Sequence, residues 1–200
     1  MTAVREPQQD RSRATRERLL DATVEMLASQ GWAATTVAAV AESAGVSRGA
    51  AQHHFPTREA LIIAVMEQMF EAMTRDASAT ITELPDELEP RVALVVDKAV
   101  AIYTGTEFKA ALQVWAAAAS DPVLREAILP LEAKLARAAH RFTVTALDPS
   151  GKNPDAHRLA QITLDLARGL GLADTLSDDS RRRKQVVAAW SQQLVAALSR

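Results

Sequence analysis

The sequence predicts an all-α chain: a small three-helix unit at the N-terminus, followed by a larger helical region. Three observations predict it. Apolar residues recur at i, i+3, i+4 and i+7 through most of the chain, and no segment alternates as a half-buried strand does. Glycine, proline and short polar residues stand where helices start and stop. Residues 36–58 read as a helix, a three-residue turn and a second, short helix. No internal repeat and no long low-complexity segment interrupts this pattern.

Length and composition set the outer limits. Two hundred residues suit one or two domains, and 48% hydrophobic residues suffice for a real core. The absence of cysteine excludes disulfides and thiolate metal sites. The N-terminus, Met-Thr-Ala-Val-Arg-Glu-Pro, has no apolar signal core, and no run is long enough to span a membrane, so a cytoplasmic protein is expected. The net charge of −2 is not that of a non-specific nucleic-acid binder. Positive charge is local instead: Arg11, Arg13, Arg16 and Arg18 cluster against the single Glu17.

Residues 1–10, with Pro7, paired glutamines and no periodicity, read as a disordered arm. A first helix follows from Ser12 or Arg13 to Gln30. Leu20, Val24 and Leu27 form its stripe, widened by Leu19, Thr23 and Met26. Gly31 ends it, and Trp32 is expected as a core plug. In the second helix Val37, Val40, Ala41 and Ala44 fall on one face, and Gly45 follows, where the backbone must turn to positive φ. Val46 fills the angle, Ser47 caps the third helix, and Pro56 stops it, leaving Phe55 as a core residue. The first domain is therefore 11–56.

A two-turn helix propped across its partner by a tight turn is the arrangement that enters a DNA major groove. The expected contact set is Arg13, Thr36, Ser47, Arg48, Gly49, Ala50, Gln52, His53 and Arg58. Thr36 and Ser47 stand at helix N-termini, where free N–H groups attract phosphate. Arg48 can fork onto guanine O6 and N7, and Gln52 can pair with adenine N6 and N7. Gly49 lets the helix approach closely, and His53 can donate to base or phosphate. The neighbouring His53 and His54 point about 100° apart on a helix and do not chelate one metal. No catalytic constellation, phosphate-binding loop or metal motif appears, so neither enzyme activity nor a cofactor is expected.

Gly31-Trp32, Thr35-Thr36-Val37, Ala41-Glu42-Ser43-Ala44-Gly45-Val46-Ser47, Gly49 and His54-Phe55-Pro56-Thr57-Arg58-Glu59-Ala60-Leu61 resemble the DNA-binding domain of the TetR (tetracycline-repressor) family of bacterial regulators. The resemblance covers about residues 13–62. Two departures stand out. Ala51-Gln52 replaces a frequent Leu-Tyr pair, which puts an amide where the family often has an aromatic. Arg58 replaces a usual lysine and keeps the charge.

Thr57 caps a fourth helix, expected over 58–75 and apolar on several sides. An acidic, proline-bounded loop is expected over 76–90, then helices over 91–103 and 107–119. A seventh helix, capped by Ser120 or Asp121, runs to Leu147 with Pro130 expected to kink or split it. Asn153 caps an eighth, with Pro154 in its first turn, and Ser177–Ser180 cap the ninth. Arg181, Arg182 and Arg183 at its start read as a solvated run.

The resemblance implies that 57–200 form a ligand-binding and dimerisation domain. Tyr103, Phe108, Trp115, His140, Phe142 and Arg168 are the candidate pocket residues, aromatic or polar among Ala, Leu and Val; ordinary core packing is the competing reading for each. The stripes Leu159, Thr163, Leu166, Leu170 and Val187, Trp190, Leu194, Leu198, with Gly169 and Gly171, would build an isologous four-helix interface, or bury within one chain. The reading is a transcriptional repressor, a homodimer on a near-palindromic double-stranded DNA operator, released by a largely apolar small-molecule effector. The rivals are a helical carrier or enzyme with a vestigial DNA-binding domain, and a non-specific DNA binder without ligand.

Overall fold

The computed structural model describes residues 8–199, and among them nine helices run in order: α1 (Gln8–Ala34), α2 (Val37–Ser43), α3 (Arg48–His54), α4 (Arg58–Thr82), α5 (Leu88–Thr104), α6 (Thr106–Ser120), α7 (Pro122–Leu147), α8 (Ala156–Ala173) and α9 (Ser180–Leu198). Of the arm expected at 1–10, residues 1–7 lie outside the described residues. The chain divides into two compact units. One takes the residues up to Met69 together with Lys109–Leu129, and the other takes Phe70–Phe108 and the chain from Pro130 onward.

In the first unit, α1 is helical from Gln8, earlier than the sequence suggests. Asp10 stands in its first turn, where a carboxylate suits the helix dipole. Gly31 (φ 81°, ψ 179°) interrupts the helix as expected, and only a short turn follows it. Leu19, Leu20 and Met26 of α1 pack with Val40 and Ala41 of α2, Ala51 of α3, Phe55, and Leu61, Ala64 and Val65 of α4. Helices α2, α3 and α4 are each capped by the residue expected: Thr36 Oγ1 accepts from Ala39 N–H at 3.2 Å, Ser47 Oγ from Ala50 N–H at 3.2 Å, and Thr57 Oγ1 from Ala60 N–H at 3.1 Å. Gly45 takes φ 62°.

In the second unit, α5 lies against α8 and α9. Its core joins Val92, Val95 and Val96 of α5, Ala146 and Leu147 of α7, Leu159 and Ala160 of α8, and Leu194 of α9. Trp190 Nε1 donates to Thr163 Oγ1 at 3.0 Å, so much of the stripe pair on the last two helices is spent inside the chain. Gly171 is buried where α8 meets Tyr103: a Cβ added there would lie 1.8 Å from the Tyr103 carbonyl oxygen.

Several boundaries differ from the sequence reading. Helix α4 runs to Thr82, because Met73, Ala77 and Ile81 continue its apolar stripe through the stretch that looked like a loop. Helix α5 starts at Leu88. Helix α7 is helical on both sides of Pro130 without a break. Pro130 and Glu126 are both exposed, so water can serve the carbonyl that loses its donor. The cap of α7 is Asp121, whose Oδ1 accepts from Val123 and Leu124 N–H at 3.0 and 3.1 Å. Helix α8 starts at Ala156, and Asn153 closes a turn ahead of it, its Oδ1 accepting from Asp155 N–H at 2.9 Å. Two arginines of the α9 run pair with acids ahead of the helix: Arg182 with Asp179 at 2.5 Å and Arg183 with Asp174 at 2.6 Å.

Candidate nucleic-acid interface

Helix α3 has two faces set by its 3.6-residue period. Ala51, and Phe55 one turn on, point into the core, at 0% and 4% relative exposure. Ser47, Arg48, Gly49, Gln52 and His53 are exposed on the other side, with Ala50 half-buried at the edge. The pairs 48/52 and 49/53 lie one turn apart, so an amide, a guanidinium and an imidazole share one surface. Nothing lies within 4 Å of a Cβ built on Gly49, so the backbone there is bare. Thr36 and Arg13 are also exposed.

His54 is half-buried behind this surface, its ring centroid 5.8 Å from that of His53 and 6.3 Å from that of Phe55. The Arg16 guanidinium lies over the Phe55 ring, 5.6 Å from its centroid. Burial first, then the charges of His53 and Arg16, lowers the His54 pKa.

Arg58 is placed differently from the other expected contacts. Its guanidinium turns inward over the indole of Trp32, 3.6 Å from the ring centroid, and Nη2 donates to the Trp32 carbonyl. Burial lowers its pKa. Trp32 is half-buried under this guanidinium rather than deep in the core. Trp32 N–H donates to Gln113 Oε1 of α6 at 3.3 Å, a contact that sequence reasoning did not find.

The candidate ligand residues do not converge. Tyr103 and Phe108 are buried edge to face with centroids 5.3 Å apart. The Arg168 guanidinium lies 5.2 Å from the Tyr103 ring centroid, and its Nη2 meets Tyr103 Oη at 3.3 Å. His140 instead stacks on His157, centroids 5.3 Å apart. Trp115 lies on the part of α6 that belongs to the first unit. Phe142 lines a cavity of about 60 Å³ in the second unit, with Met73 and Ile81 of α4, and Ala99 and Ile102 of α5. Lys98 Nζ and Asp76 Oδ1, 3.1 Å apart, are the charged pair of its lining. Of these lining residues, only Phe142 stood out in the sequence; Met73, Ile81, Ala99 and Ile102 carry no signal beyond an apolar stripe, and Lys98 and Asp76 none beyond an exposed charge.

Among the described residues, no three of His, Asp and Glu are grouped to hold a metal ion, and no helix is long and apolar enough to cross a membrane. The geometry defines a helix-turn-helix protein whose second helix presents a polar, basic face. Residues 19–65 match the model of the tetR family of bacterial regulatory proteins. The HTH-type transcriptional regulator CymR of Pseudomonas putida is 29% identical over 187 residues, which cover 93% of this chain and 92% of the relative. A crystal structure from Pseudomonas aeruginosa PAO1 superposes with a TM-score of 0.72 at 23% identity, covering 96% of this chain and 93% of the other. A protein from Saccharomonospora viridis, solved in complex with choline, superposes at 0.67 with 18% identity, covering 91% and 94%. Residues 19–65 thus carry a DNA-binding domain of the tetR family, and the chain is a DNA-binding transcriptional regulator.

Proposed function

We propose that the chain is a homodimeric repressor that binds a near-palindromic operator through two copies of α3 and is released by a small, largely apolar effector. The exposed face of α3 carries this reading, with Arg48 and Gln52 reading bases and Ser47, Gly49, Ala50 and His53 setting the approach. Thr36 and Arg13 would take phosphate. Arg58 joins them only if it leaves Trp32.

The region from residue 57 onward would hold effector and dimer contacts. A cavity of about 60 Å³ is far below the several hundred Å³ that a bound small molecule fills. The effector would therefore have to widen the space between α4, α5 and α7, and that difference in affinity between two states is what allostery requires. The structural neighbour holding choline supports a small-molecule site in this fold. For the dimer, α8 keeps an apolar outer side. Ile162 is 42% exposed, Leu172 is 60% exposed, and the space over Gly169 is open. These positions, rather than the buried Leu159, Thr163 and Leu170, would meet a second copy.

Genomic footprinting of the full chain tests the whole reading. Two inverted half-sites whose centres lie about one or more helical turns apart are expected. Protection of one unpaired half-site, or of DNA without sequence preference, would contradict it.

A further inference from the structure

We infer that Gln113, on α6 and 81 residues from Trp32 in sequence, is a positioning residue for DNA recognition: it fixes the joint from which the helix-turn-helix is launched. The inference rests on the reading of α3 as the operator-reading helix. Three observations carry it. First, the joint is not helical. At Gly31, ψ is 179°, which turns the Trp32 N–H away from the helical direction, and its hydrogen bond goes to Gln113 Oε1. Second, the other polar group of the same residue, the Trp32 carbonyl, accepts from Arg58, the first residue of α4. The chain enters the α2–α3 pair at Trp32 and leaves it at Arg58. Both ends are therefore tied at one residue, and Gln113 ties that residue to α6. Third, the α6 segment from Lys109 belongs to the same compact unit as α1–α3, so the tie lies within one body. Gln113 Oε1 lies only 3.2 Å from where a Cβ on Gly31 would stand, so the missing side chain leaves room for the amide at the joint.

Gln113 lies outside the segment that matches the family model, residues 19–65, so it is not part of the recognition motif itself. It makes no contact with the exposed face of α3 in its described hydrogen bonds. Its action would be on the orientation of α2 and α3: a looser joint populates the binding-competent arrangement less, and apparent affinity falls by that fraction. The signature is distinctive. Affinity falls for every operator variant by the same factor, the salt dependence stays unchanged because no phosphate contact is lost, and an acceptor oxygen restores it.

The test compares the full-length protein with Q113A, Q113E and, as a control on the recognition helix, R48A. Anisotropy is measured on the footprinted operator and on single-base variants of it, at several salt concentrations. Hydrogen exchange of the Trp32 amide is measured in parallel. Q113A is expected to weaken binding about fivefold, the effect of one ordinary hydrogen bond, with the ranking of variants and the salt slope kept. Q113E is expected within about twofold of the original protein. The Trp32 amide exchanges slowly in the original protein and fast in Q113A. Unchanged affinity in Q113A, equal damage in Q113E, or a Trp32 amide that exchanges freely in the original protein would each overturn the inference. If Q113A fails to fold, Q113E and the Trp32 amide of the original protein decide it. If R48A keeps full operator discrimination, the reading of α3 has failed; the exchange measurement still reports on the joint.

Discussion

Gly49 and Gly171 use the same missing side chain for opposite ends. At Gly49 a Cβ would meet nothing within 4 Å, so the helix surface is bare toward the outside. At Gly171 a Cβ would meet the Tyr103 carbonyl oxygen at 1.8 Å and its carbon at 2.8 Å, so the glycine is consumed by packing α8 onto α5. The difference separates a surface left open to the outside from a surface already filled by the chain itself. It also reassigns part of the last two helices: Gly171 serves the interior, whereas Gly169 on the same helix stays open.

The largest effect is expected at the filled glycine. Gly171→Ala forces backbone apart between two core helices, an overpacking cost of about 3 kcal/mol or more. Thermal unfolding should begin about 6–12 °C lower, on the usual scaling for a chain of this size. A melting temperature within a degree of the original would show that the close approach is wrong. At the open glycine the two properties should part company. Gly49→Ala should leave stability unchanged or raise it by up to about 1 kcal/mol, since alanine favours helix. Operator affinity should fall in the same variant, because the methyl stands between helix and duplex. A variant that binds the operator as tightly as before would remove Gly49 from the interface.

A smaller effect distinguishes the two faces of α3 by pH. The folded state holds the His54 imidazole below its ordinary pKa of 6.5, so it favours the neutral ring. The unfolded chain binds that proton at higher pH. His54 therefore adds stability that is complete above about pH 6.5 and is lost as pH falls below it. The urea midpoint should drop between pH 7.5 and pH 5.5, and His54→Gln should flatten that drop. An identical slope in the variant would mean that the burial of His54 has no energetic consequence.

The segment 36–58 was legible because its information is local. Thr36, Ser47 and Thr57 cap the helices that begin just after them, and Gly45 needs nothing beyond its own φ. What was not legible depends on which distant residues meet. The stacking of Arg58 on Trp32 spans 26 residues and the Gln113 bond 81, and neither leaves a periodic trace. The extension of α4 to Thr82 was hidden by weak helix formers, Thr74, Asp76, Ser78 and Thr80, between Met73, Ala77 and Ile81. Alanine-rich helices gave no means of choosing partners, so Tyr103, Phe108 and Arg168 were grouped with Phe142, although only Phe142 lines the cavity described for the second unit. The apolar stripes of α8 and α9 are plain in the sequence, but period says only that a face is buried. Trp190 and Thr163 show by their hydrogen bond that part of it is buried at home.

The most direct measurement of the account is selection from a pool of randomised duplexes by the full-length protein and by Arg48→Ala. The variant is expected to keep its fold and its α-helical spectrum but to lose about 1–3 kcal/mol of discrimination, about 5- to 150-fold, at one base pair in each half-site. Recovery of the same consensus with the same information at every position would contradict it, because the exposed face of α3 would then not be what reads the DNA.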